Sequence, residues 1–142
     1  MAITPYIFFT GTCREAMTRY QEVLGGELEL MTAAEMPEGE EPPPGPANPD
    51  MIIHAALTLP DGAVLMASDD PTGDGSGVKG VAVSVTYTDP DEATRVFGEL
   101  AEDGEVSMAM GETFWSPNFG MCVDRFGTSW MVDVEPAGDG AS

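Results

Sequence analysis

Apolar and polar positions along this chain fall into two periods. Residues 4–9, "TPYIFF", form a β-branched and aromatic run that reads as a strand. Ala16, Tyr20, Val23 and Leu24 then recur near helical spacing within "TGTCREAMTRYQEVLGGELEL". Thr12 is the predicted N-cap, with Glu15 three positions on as a capping box, and Gly25-Gly26 is the predicted stop. "ELELM" follows as a second strand. "MIIHAALTLPDGAVLMAS" reads as two more, turning at Pro60-Asp61-Gly62.

The second half repeats this order. "VAVSVTY" alternates as a strand, and "DPDEATRVFGELAEDGEV" is a helix with Asp89 or Asp91 near its cap and Gly104 after its end. "EVSMAM", "FGMCVD" and "SWMVDV" are three further strands. Glu-Ala opens both helices, and Gly-Glu precedes the next strand in both halves. The pattern predicts an α+β fold of two βαβββ modules, residues 1–70 and 78–136. Side by side they would make a curved, eight-stranded mixed sheet around a cleft, with the helices outside. Residues 33–50 carry six prolines and five acids without periodicity, and read as an exposed loop, with a lid as the functional alternative. "DDPTGDGSG", residues 69–77, reads as the linker, and residues 137–142 as a flexible tail.

Length changes little: 142 residues suit one domain or two small modules, and 42% hydrophobic residues are enough for a core. No apolar run is long enough for a membrane span, and "MAITPYIFF" lacks the basic start of a signal peptide. Cys13 and Cys122 stand far apart in no metal-binding spacing, which points to a reducing, cytoplasmic setting without disulfides. Charge changes more. Twenty-five acids against five Lys plus Arg give a formal net charge of -20, which repels nucleic acid and anionic membranes. The acids are spread along the chain. They read as an adaptation to high salt rather than as a site for a cationic partner, and full stability is then expected to need salt.

Three stretches together resemble a known family: "PYIFFTGTCREAMTRYQEVLGGEL", "IIHAALTLPDGAVLMASD" and, above all, "ETFWSPNFGMCVDRFGTSWMVDV". They are similar to the PhnB-like branch of the vicinal-oxygen-chelate superfamily, which includes glyoxalase I, bleomycin-resistance proteins and extradiol dioxygenases. The resemblance implies two βαβββ modules forming a cleft, and often a homodimer. It also implies a divalent metal held from four strands, and the positions that carry over are Pro5 or Tyr6, Met66, Val81 and Met131. Only Tyr6 among these offers an oxygen or nitrogen, so no metal cofactor is expected. Members of the family are sometimes labelled ubiquinone methyltransferases. This chain shows no glycine-rich strand-turn-helix motif for a methyl-donor nucleotide, which speaks against that label.

Candidate site residues follow. His54, the single histidine, can act as a base or donate to a bound anion. Glu112 precedes the aromatic pair Phe114-Trp115 and is the second candidate for acid–base work. Tyr6, His54, Met66, Ser68, Phe114 and Trp115 are the candidate ligand-binding set. Phe126 and Trp130 read as core and turn residues, with Gly127 supplying a φ that other residues resist. No G-x-S-x-G elbow or phosphate-binding loop is present. The expected function is metal-free small-molecule binding in an aromatic and methionine-lined cleft. The alternative is a glyoxalase- or dioxygenase-type enzyme on a small oxygen-rich metabolite, using a displaced divalent metal or a His54/Glu112 pair. A weaker third reading is sequestration of a cationic drug.

Overall fold

The structure, a computed structural model, describes residues 3–35, 49–70 and 80–135. It divides into two compact units, Met1–Gly77 and Val78–Ser142. The first contains β1 (Tyr6–Phe9), α1 (Cys13–Leu24), β2 (Glu27–Thr32), a 3₁₀ turn at Ala33–Glu35, β3 (Ile52–Thr58) and β4 (Val64–Asp69). The second contains β5 (Val83–Tyr87), α2 (Pro90–Ala101), β6 (Glu105–Gly111), β7 (Phe119–Val123) and β8 (Ser129–Val134). The class is α+β, and the βαβββ order occurs twice, as the sequence predicts. The eight strands form two four-stranded sheets, ordered β1-β4-β3-β2 and β5-β8-β7-β6. In each sheet the first strand lies parallel to the fourth and the other pairs are antiparallel.

Both helices pack on one face of their own sheet. In the first unit Cys13, Ala16, Met17, Tyr20 and Val23 are buried on α1, opposite buried Ile7, Phe9, Ala55, Leu57, Leu65 and Ala67. The Phe9 and Tyr20 rings lie 6.4 Å apart within this layer. In the second, Ala93, Val96, Phe97 and Leu100 of α2 are buried with Cys122, Trp130, Val132 and Val134. Each large side chain so buried contributes roughly 1.5–3 kcal/mol, so the two layers supply the main drive to fold. The alternation leaves one helix-free face per sheet, and Tyr6, His54, Met66 and Ser68 lie on that of the first. No helix among the described residues is long and apolar enough to cross a membrane.

The β3–β4 turn forms where Pro60-Asp61-Gly62 predicts it, with Gly62 at φ +95° and the Leu59 N–H donating to the Ala63 carbonyl at 2.7 Å. Asp89 is the N-cap of α2 and accepts from the Asp91 N–H at 2.9 Å. Two expectations are corrected. Thr12 occupies the N-cap position of α1 but makes no side-chain cap hydrogen bond. Asp69 is not linker: it closes β4, is buried, and supplies the cap from across the fold. Its Oδ1 accepts from the backbone N–H groups of Gly11 at 3.1 Å and Cys13 at 2.9 Å, and its Oδ2 from Ile52 at 3.1 Å. A carboxylate from a neighbouring strand thus satisfies donors that a local hydroxyl would otherwise take. The proline-rich segment begins with the ordered 3₁₀ turn, while its residues 36–48 lie outside the described residues. The rest of the linker (71–77) and the tail (137–142) lie outside them as well.

Candidate functional site

On the first sheet, register decides which side chains share the helix-free face. Tyr6 pairs with Met66 and Phe8 with Ser68 across β1 and β4. Met66 pairs with Ala56 on β3, and His54 pairs with Met31 on β2. Directly opposed residues point to the same side of a sheet, so these pairs place Tyr6, Phe8, Met31, His54, Met66 and Ser68 on one face. Tyr6 is 41% and Phe8 61% exposed, whereas their neighbours Ile7 and Phe9 are buried against α1. The Tyr6 and Phe8 rings are tilted at 40° with centroids 5.1 Å apart. The His54 ring lies 6.1 Å from that of Tyr6. Four of the six candidate ligand-binding residues, Tyr6, His54, Met66 and Ser68, are therefore brought together. Phe8 and Met31 join them, which the sequence reading missed. The signal was available: strand alternation from Tyr6 gives Phe8, and pairing with His54 gives Met31.

Phe114 and Trp115 belong to the second unit, in the connection between β6 and β7. The loop is built around Thr113, whose Oγ1 accepts from the N–H groups of Trp115 at 3.3 Å and Ser116 at 3.0 Å. Ser116 is buried and ties the loop to β8 through Asp133 and the Val134 carbonyl. The turn presents Trp115 edge-on to Phe119 at 5.4 Å, and Phe114 edge-on to Trp115 at 4.7 Å. Phe114 is 97% exposed and Trp115 50%. Glu112 is exposed at the end of β6, and belongs to a different unit from His54.

The four positions implied for a divalent metal also resolve by register. Tyr6 and Met66 are direct partners across β1 and β4. On the second sheet Met131 pairs with Ser84, while Val81 lies ahead of β5, so Ser84 and not Val81 is the matching residue. One phenol, one hydroxyl and two thioethers do not suit a hard or borderline divalent ion, which needs carboxylates or imidazoles. Among the described residues no group of three or more His, Cys, Asp or Glu side chains is placed to hold a metal. The two cysteines sit on the helix side of their units. Burial, with Asp69 nearby, pushes the Cys13 thiol up to about 12, and burial, with Asp124 nearby, pushes Cys122 up to about 11. Neither is a nucleophile at neutral pH.

With this geometry in hand, similarity to known proteins is informative. The family profile of 3-demethylubiquinone-9 3-methyltransferase matches residues 1–133. Protein YjdN of Escherichia coli (strain K12) is 35% identical over 141 residues, covering 94% of this chain and 95% of that protein. The crystal structure of protein PA1353 from Pseudomonas aeruginosa is 44% identical, covers 95% of this chain and 98% of its own, and superposes with a TM-score of 0.80. The PhnB protein of Bacillus cereus, also described as a 3-demethylubiquinone-9 3-methyltransferase, is 28% identical with a TM-score of 0.74, covering 94% and 99%. Glyoxalase/bleomycin-resistance/dioxygenase structures share the fold at much lower identity. The chain belongs to the 3-demethylubiquinone-9 3-methyltransferase family of PhnB-like proteins, and it shares its fold with glyoxalase/bleomycin-resistance/dioxygenase structures.

Proposed function

We propose that the chain is a metal-independent small-molecule-binding protein, and that its ligand rests on the helix-free face of the first sheet. One observation carries the reading. Tyr6, Phe8 and Met31 leave large apolar surface on that face, beside the half-buried Met66 and one imidazole, His54, with the buried hydroxyl of Ser68 on the same side. A binding surface of this kind stacks a planar or apolar body on the rings and fixes its orientation through few polar groups. The ligand class is a compact molecule with one flat or hydrophobic side and an acceptor or anionic group for His54.

Methyl transfer from a nucleoside donor fits poorly, because the sequence carries no glycine-rich strand-turn-helix motif for such a donor and the strands form two four-stranded βαβββ sheets. A second reading is favoured by the proximity of the His54 and Tyr6 rings, 6.1 Å between centroids. It is an enzyme in which His54 moves a proton on a bound carbonyl compound.

The test is a thermal-shift screen of metabolites followed by calorimetry, with metal content measured on the same untagged protein. Tyr6→Ala and Phe8→Ala are expected to weaken the ligand found by tenfold or more, and bound divalent metal to be near zero. A ligand indifferent to both substitutions overturns the site, and one equivalent of zinc, nickel, manganese or iron per chain overturns metal independence. Turnover that disappears in folded His54→Ala establishes the second reading in place of the first.

A further inference from the structure

We propose that Met108, Met121 and Met131 form a thioether site for a soft monovalent cation, Cu(I) or Ag(I), on the helix-free face of the second sheet. Met108 pairs with Met121 on β7, and Met121 pairs with Met131 on β8. The three side chains therefore leave the same face in one straight row across three adjacent strands. Directly opposed Cβ atoms lie roughly 4.5–5.5 Å apart. A methionine sulfur stands two bonds beyond Cβ on an unbranched, rotatable stem, so the outer two can lean toward the central one.

The row exists because β6 is irregular. From Glu105↔Val123 to Gly111↔Phe119 that strand advances six residues while β7 advances four, with register shifts either side of Met108. Unbroken pairing from Glu105 would set Met108 against Gly120, the partner of Val132, on the side facing α2. The first bulge moves it to Met121. Met110 illustrates the other outcome: its Sδ fills the space a side chain at Gly120 would need, beside Phe97 of α2. Met110 lies on the α2 side of the sheet, and the row lies on the other. Met108 is 45% exposed, and Met121 and Met131 are both partly exposed.

Packing alone is a weak reason for such a row. Strands favour β-branched and aromatic residues, and ordering three methionines carries a larger entropy loss than ordering valines. Thioethers are soft, neutral donors that select Cu(I)-type ions over calcium, magnesium or manganese. Neutral donors leave the charge of a bound cation uncompensated. Here Asp133 stands two residues from Met131 on the same strand face, Glu105 flanks the row on β6, and the chain carries a formal charge of -20. The site lies in the second unit and takes no residue from the ligand face proposed for the first.

The experiment titrates the whole chain with Ag(I), and anaerobically with Cu(I) against a chromogenic chelator, while methionine methyl groups are followed by carbon-13 NMR. Three of the 10 methionine signals are expected to move together as one equivalent binds. Met121→Leu, which keeps volume and removes sulfur, is expected to weaken binding at least tenfold. The triple leucine variant is expected to lose saturable binding with its circular dichroism unchanged, and Met110→Leu to bind as the parent does. Binding that survives in the triple variant, or that moves no methionine signal, places the cation on the thiols or His54 and overturns the proposal. So does the absence of saturable binding at micromolar cation.

Discussion

The indole N–H of Trp130 donates to Asp124 Oδ2 at 2.8 Å, inside the core of the second unit. The other carboxylate oxygen of Asp124 accepts from the backbone N–H groups of Phe126 at 2.9 Å and Thr128 at 3.0 Å. Gly127 completes the turn at φ +91°. One buried carboxylate thus closes the β7–β8 turn and fixes the largest side chain of β8, which explains the spacing of D-R-F-G-x-x-W. Trp130→Phe keeps an aromatic ring but removes the indole donor and leaves a cavity in the core, and is expected to cost about 3 kcal/mol in urea unfolding. Asp124→Ala releases two backbone donors as well and should cost more. Stabilities within a few tenths of the parent would show that water replaces the carboxylate.

Gly26 and Gly104 occupy matching places in the two units, each just before the strand that follows the helix. A methyl group at Gly26 would run into the Thr58 carbonyl oxygen, and one at Gly104 into that of Val123. Backbone cannot yield as a side chain does. Gly26→Ala, with φ +96° added against it, and Gly104→Ala are each expected to lose roughly 2–3 kcal/mol or more. Gly98, inside α2 with open space around it, is the control: Gly98→Ala should gain about 0.5–1 kcal/mol. Chemical denaturation of the three variants separates close approach from a general intolerance of alanine.

Cys13 and Cys122 should resist alkylation in the folded chain. A thiol raised from 9.0 to about 11 carries roughly a hundredfold less thiolate at pH 8, and Cys13 at about 12 less still. Labelling in urea should be fast and complete. The same shifts set a pH dependence. Both folded values lie above the unfolded value, so their contribution to stability is fully present below pH 9 and is lost as pH rises through 11 to 12. Cys122→Ser, compared with the parent across pH 8 to 11, is expected to flatten that alkaline decline.

Salt should stabilise the protein. Twenty-five acids on a chain with five Lys plus Arg repel one another, and the surface pairs, such as Arg95 with Glu99 at 2.6 Å, are few. Screening about 1 kcal/mol of repulsion raises Tm by roughly 3–5 °C at this size. Scanning calorimetry from low salt to molar potassium chloride measures the rise. A Tm that falls with salt would mean that ion pairs outweigh repulsion.

How far the sequence was legible depended on range. Strands and helices followed from periodicity, because Ile7, Phe9, Ala16 and Tyr20 need only a nearby layer to face. The repeated Gly-Glu before the third element marked a steric requirement that both units share. Asp69 was misread, since an aspartate beside "DPTGDGSG" has loop composition, and its three backbone partners come from two distant segments. Thr12 was misread for the same reason: a local rule assigned a bond that a distant carboxylate makes. At the candidate site, His54 and Tyr6 stood out as residue types and alternation along β1 adds Phe8, but Met31 and Ser84 enter only through cross-strand register. The methionine row was hidden more deeply, because two inserted residues in β6 set its phase.

Those insertions have a consequence for how the molecule behaves in a crowded solution. β6 is an end strand of its sheet, and most of it is exposed. A straight end strand offers a continuous ladder of amide groups to any extended chain that drifts past. In β6 the ladder is interrupted twice within seven residues, so an incoming strand finds no run of evenly spaced partners. The irregularity that aims Met108 outward also makes that edge a poor template for an incoming strand.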